Sequence, residues 1–194
     1  MMFQTDINLR YKGGDAVKNL AGEDDPEDSA QKATNYRAEP LWFRMGHLPE
    51  TPMDRTRDLN FFNVLSNTKV GADPVTPIFS ATFAQPVRFR VVDPGGHSRN
   101  NVFVLHGHLW DEEPWSANGL SQVNNAKSER RGAEYGIGPT SHHNFLLRNG
   151  AGGAFGVTGD YLYRTFQSFM FDGGIWGIFR VKPGLVGPEE VTDP

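Results

Sequence analysis

From Val75 onward the chain reads as short strands separated by turn residues. Pro77–Phe83 (PIFSATF) is followed by Pro86–Val92 (PVRFRVV), in which Val87, Phe89 and Val91 alternate with Arg88 and Arg90. A period of two puts the three apolar side chains on one face of a pleated strand and both arginines on the other. Asp93-Pro94-Gly95-Gly96 supplies the turn that ends it. Asn101–Trp110 (NVFVLHGHLW) is a mostly apolar run and is expected to be one strand. His143–Arg148, Asp160–Thr165 and Ile175–Lys182 predict three more. The polar stretch from Asp111 to Gly138 is expected to be a long loop, and Asn149–Gly159 a glycine-rich turn. No stretch of useful length carries a helical period. Short strands with frequent turn signals predict an all-β sandwich or barrel.

The N-terminal third is less patterned. Ile7–Tyr11 predicts a short strand, and Glu23–Asp28 (EDDPED) an acidic, solvated stretch. A calcium site there would need a turn glycine that the spacing lacks. Residues 1–34 are expected to be a partly flexible arm. Residues 35–74 mix aromatics, proline and charge, as an extended segment draped over the domain, with one helical turn near Leu59–Leu65. Residues 183–194 form a Pro/Gly/acidic tail.

Composition narrows the function classes. Fourteen Phe give the strands enough to pack, which excludes wholesale disorder. A net charge of −4 gives a nucleic-acid partner no electrostatic support. No run of eighteen apolar residues predicts a membrane span, and the start MMFQTDINLRYKGGD lacks the apolar stretch of a signal peptide. With no cysteine, disulfides, thiolate zinc sites, Cys nucleophiles and iron–sulfur clusters are excluded, and so is a His/Cys blue-copper centre. No Ser/His/Asp spacing, G-x-S-x-G or phosphate loop occurs, and Gly150–Gly156 lacks the flanking βαβ pattern of a nucleotide site.

The candidate chemistry lies in histidines and nearby carboxylates. On a strand, His106 and His108 at i and i+2 share a face, where two imidazoles can share a metal. Glu112 and Glu113 follow. The adjacent His142 and His143 face opposite sides of a strand, so at most one joins the first pair. HGHLWDE resembles the first metal motif of the cupins, which implies a mononuclear metal protein or oxygenase with His106, His108, Glu112 and one of His142 or His143 as ligands. The sequence departs from that motif at Asn100, where a cupin has glycine, and in the GIGPTS that precedes His142.

A second resemblance spans residues 35–182. Gly159-Asp160-Tyr161-Leu162-Tyr163, Arg164–Met170 and Gly174–Val181 resemble the end of the last cupredoxin domain of multicopper oxidases, where G-x-Y-x-Y-H-C-H-x-x-x-H-x-x-x-G-M enters the final strand. Asp73–Pro77 with Pro86–Arg90 resembles the strand pair before the family's first histidine cluster, and Asn101–His108 lies over H-P-x-H-x-H-G-H. Asn35–Leu41 resembles a segment of large, many-domain bacterial members, manganese(II) oxidisers among them. The resemblance implies an antiparallel Greek-key sandwich of cupredoxin type with an extended N-terminal arm. It also implies copper as cofactor and an extracytoplasmic location.

Carried over residue by residue, the resemblance leaves one copper ligand. The family's type 1 histidine falls on Asn101, the next histidine on Val104, and the third on His106. The His-Cys-His triplet falls on Arg164, Thr165 and Phe166, the following histidine on Met170, and the axial methionine on Ile175. Without thiolate or bridge, the family's copper-dependent oxidoreductase chemistry is not expected of this chain alone. The resemblance thus implies a degenerate domain or subunit of a larger oxidase assembly, with other cupredoxin domains, sister subunits or further copies of itself as partners. The alternatives are the mononuclear metal protein and a non-catalytic interaction module using Trp110 and Trp115.

Overall fold

The structure, a computed structural model, describes residues 1, 3–7, 13, 31–34, 37–46, 64–65, 72–94, 100–115 and 125–184. Its strands are β1 (Phe3–Ile7), β2 (Gln31–Thr34), β3 (Phe79–Thr82), β4 (Arg88–Val92), β5 (Asn101–Leu105), β6 (Trp110–Asp111), β7 (Arg130–Arg131), β8 (Ala133–Ile137), β9 (His142–Leu146), β10 (Gly159–Thr165) and β11 (Trp176–Lys182). Single-turn helices α1 (Leu41–Arg44) and α2 (Ser168–Asp172) and a 3-10 turn at Gly153–Phe155 complete the described elements.

One sheet runs β3-β11-β10-β5-β8. In the second layer β4 pairs with β9 and β6 with β7, and a bridge from Trp110 to Leu147 joins the two pairs. The alternation in β4 works as the sequence predicts: Phe89 and Val91 are buried, Arg88 and Arg90 exposed. The layers meet through rings. Phe103 of β5 stacks flat on Phe145 of β9, 5.3 Å between centroids, and Phe89 of β4 meets Phe179 of β11 edge-on at 5.3 Å. Such pairs add about 0.5–1.5 kcal/mol each to the area they bury. The all-β sandwich expectation holds. One pair, β3 with β11, runs parallel, with Phe79 opposite Phe179.

The outer face of the five-stranded sheet is also covered. Trp176 and Ile178 pack with Leu41, Val64 and Phe171 in a second apolar cluster. This explains why β11 is buried from Trp176 through Phe179 instead of alternating. The Trp176 indole N–H donates to the Glu39 carbonyl at 2.7 Å, and the Arg44 guanidinium donates to Glu39, Val64 and Ala72. Leu41 and Val64, from the segment expected to drape, thus lie against the sheet, but Leu41–Arg44 is a helical turn where an extended path was expected.

Other elements also differ from the sequence reading. Asn101–Trp110 is two strands in different layers, because the chain turns at Gly107 with φ +71°. The expected loop from Asp111 to Gly138 contains β7 and β8, whose short, polar runs carry too little periodicity to be read. α2 is a single turn, below the length at which a helical period shows. The N-terminal strand is Phe3–Ile7, antiparallel to β2, with Asn8–Tyr11 outside the described residues. Glu23–Asp28 and residues 185–194 also lie outside them, as does the turn at Leu59–Leu65 except for Val64 and Leu65. No helix among the described residues is long and apolar enough to cross a membrane.

Candidate functional site

β5 and β10 are antiparallel neighbours, with Leu105 opposite Tyr163, Val104 opposite Arg164 and Phe103 opposite Thr165. His106 follows the end of β5 and extends the ladder by one bond, its N–H donating to the Leu162 carbonyl at 3.0 Å. Its side chain is exposed and meets Arg164, whose Nε donates to His106 Nε2 at 3.3 Å. The same guanidinium donates to the Thr165 and Phe166 carbonyls and lies 5.1 Å over Phe171 and 5.5 Å over Phe166. Partial burial and then the adjacent Arg164 cation lower the His106 pKa, and burial lowers that of Arg164.

His108 lies on the other side of the turn. The expectation that it shares a face with His106 fails, because Gly107 reverses the chain between them. A Cβ at Gly107 would strike the Tyr161 ring, so the position needs glycine for space as well as for its positive φ. His108 is 2% exposed. Its Nε2 accepts the Gly152 N–H at 3.0 Å, which leaves Nδ1 to donate to the His106 carbonyl at 3.1 Å. Tyr161 and Phe179 hold the ring edge-on at 4.5 and 5.3 Å. Burial lowers the His108 pKa, and the His106 carbonyl partly opposes this. The glycine-rich turn thus buttresses His108. A Cβ at Gly153 would collide with the Gly107 carbonyl, so that glycine lets the two turns close on each other.

The remaining candidates lie elsewhere. Glu112, His142 and His143 line one cleft of about 240 Å³, together with Trp115 and Glu134, a carboxylate that no sequence motif marks. His106 and His108 are absent from that lining. Glu112 is ion-paired with Arg131 at 2.6 Å, His142 is exposed, and His143 stacks on Phe145 at 5.8 Å. Glu113 is exposed, and its backbone N–H donates to Ser128. Asp111 is buried and paired with Arg148 at 2.5 Å. Among the described residues no three His, Asp or Glu side chains gather as a metal-holding group. Of the tryptophans, Trp110 is buried between Phe103 and Phe145, whereas Trp115 is 56% exposed.

Copper is the metal the resemblance implies, and the residues at its expected places do not fit it. Arg164 brings a fixed cation to the one surviving imidazole and bonds its Nε2. Asn101 is fully buried and donates to Asp93 at 2.9 Å. Met170 and Ile175 are packed in the main core. Thr165 is buried, its hydroxyl donating to Gln167 at 2.6 Å.

No family model matches the chain, and no curated protein matches it. Among solved structures it is similar to a multicopper oxidase, at 16% identity and a TM-score of 0.41 over 56% of this chain and 35% of that one. A multicopper oxidase from Campylobacter jejuni, described as a metallo-oxidase, aligns at 16% identity and a TM-score of 0.41, over 55% of this chain and 21% of that one. A Cu-containing nitrite reductase from Thermus scotoductus SA-01 aligns at 18% identity and a TM-score of 0.36, over 54% and 22%. The alignment spans well under half the length of each of these proteins.

Proposed function

We propose that the chain is a copper-free, cupredoxin-like domain or subunit of a multicopper-oxidase-like assembly, with residues 35–182 as the domain. Its role is structural, at an interface with other cupredoxin domains, sister subunits or further copies of itself. At most it lends one shared copper ligand, His106. The chain alone is not an active oxidoreductase. The resemblance also favours an extracytoplasmic setting. The observation that carries this reading is the pairing of β5 with β10. It sets side by side the two stretches that resemble the family's histidine motifs, with Arg164 bonded to His106 at their junction. The lost ligands and the packed Met170 and Ile175 support the degenerate role.

Elemental analysis of the purified chain, offered Cu, Mn, Fe and Zn, tests the reading. Metal well below one equivalent is expected, together with co-purification of sister chains or copies from the native source. One tightly held copper per chain, or a well-behaved monomer without partners in the native source, sinks it.

A further inference from the structure

We infer that the cleft lined by Glu134 of β8 and His143 of β9 is a binding site for a neutral, hydroxylated ring, a single sugar-sized unit. This goes beyond the proposed function and holds whether or not the oxidase reading does. Two strand registers turn polar side chains into the space between the layers. Glu134 stands opposite Phe103 of β5, and residues opposite each other on a ladder project from the same face. Phe103 is fully buried in the core, so Glu134 projects inward. His143 stands opposite the buried Val91 and two residues before the buried Phe145, and so projects inward from the second layer. A carboxylate and an imidazole, both half-buried, thus hold positions that core side chains fill elsewhere on these strands. Among the described residues neither side chain has a hydrogen-bond or ion-pair partner.

A third group belongs to the same wall. Trp110 is 1% exposed and lines this cleft, and its indole N–H has no partner. A buried donor left unpaired costs free energy until a group accepts from it. The exposed Trp115 also lines the cleft.

The inventory of donors and acceptors selects the ligand. The indole N–H only donates, and the Glu134 carboxylate only accepts. The described lining residues include Asp111, Glu112 and Glu134 and neither lysine nor arginine. Asp111 and Glu112 are paired with Arg148 and Arg131, so the Glu134 charge is the one left to repel an anion. An ammonium carries donors alone and leaves the Trp110 N–H unpaired. A hydroxyl donates and accepts, and several on one ring serve both kinds of group at once. Trp115 offers an apolar surface to the C–H face of such a ring. At about 240 Å³ the cleft has room for one ring, below the roughly 300–1,000 Å³ of sites for larger ligands.

The test follows the assigned Trp110 indole N–H by NMR on the full chain. The probes are glucose, galactose, mannose and xylose, each as free sugar and as methyl glycoside. At least one is expected to shift that resonance saturably in the millimolar range, as suits a ligand of about a dozen heavy atoms. Tetramethylammonium and acetate are expected to leave it unmoved. Glu134→Ala and Trp115→Ala are each expected to weaken binding about tenfold. Trp115 is exposed, so a folding failure of the Glu134 variant leaves the test intact. Phe155→Ala, at a side chain 84% exposed and outside the lining, is expected to bind as the parent does. Both forms of a sugar binding alike supports the site and points to the end of a glycan chain. Binding of the free form alone supports it and points to a free sugar. No saturable shift from any sugar means that water alone fills the cleft and overturns the proposal. Sugar binding unchanged in both cleft variants, or a saturable shift from tetramethylammonium alone, overturns it too.

Discussion

Residue His108 couples the stability of the domain to pH. A histidine in an unfolded chain takes up its proton near pH 6.5. Burial holds the folded His108 neutral to lower pH. Between those two points the unfolded chain binds more protons, so stability falls as pH falls through and below about 6.5. His106 shifts in the same direction, but its ring is exposed and contributes less. Urea unfolding at pH 7.5 and 5.0 is expected to show a loss on acidification that shrinks in His108→Gln and changes little in His106→Gln. A second residue-scale prediction concerns Gly177, where a Cβ would meet the hydroxyl and ring of Tyr163. That hydroxyl is tied to the Pro77 carbonyl at 2.9 Å, and Tyr163 is fully buried, so it has nowhere to move. Gly177→Ala is expected to cost about 1–3 kcal/mol, read from the urea midpoint.

Among the elements, α1 is too short to stand on its own and depends on what grips it. Arg44 bonds both oxygens of Glu39 at 3.1 and 3.2 Å and the Val64 and Ala72 carbonyls at 2.6 and 2.7 Å, while Glu39 also accepts the Val75 N–H. The pair is almost sealed from solvent, with side chains 3% and 10% exposed. Glu39→Ala strands a buried cation and is expected to cost about 3–5 kcal/mol. Arg180 makes four bonds to the carboxylates of Asp160 and Asp73, but across a surface where these are 41% and 42% exposed. Asp73→Ala is expected to cost below about 1 kcal/mol in the same denaturation series. Neither difference was legible in sequence, since both arginines lie in runs of mixed polarity. The strands were legible where one face is buried and the other wet, as in β4. They were hidden where the run is short and polar, as in β7.

At the scale of the molecule, the fold was more readable than the site. Fold follows from alternation and turn residues, which are local. The site depends on which turns meet, and Gly107 decided that by parting His106 from His108, where a continuous strand would have kept them together. The grouping of Glu112, Glu134 and the two β9 histidines at one cleft required the chain to cross between layers, a pairing no local pattern announces. The same crossing explains where the sandwich is most vulnerable. Phe103 is fully buried, stacks on Phe145 and touches Phe89 and Trp110, so its ring joins three segments of the second layer to the first sheet. Phe103→Ala removes those contacts and leaves a cavity between sheets that cannot both collapse inward, a loss of about 3–5 kcal/mol. A domain with roughly 5–15 kcal/mol of stability gives up much of its margin. Phe166 is 63% exposed, so Phe166→Ala is expected to shift the urea midpoint little. If the two variants lose equal stability, the layers are not held by the Phe103 stack, and the two-layer core described here is wrong.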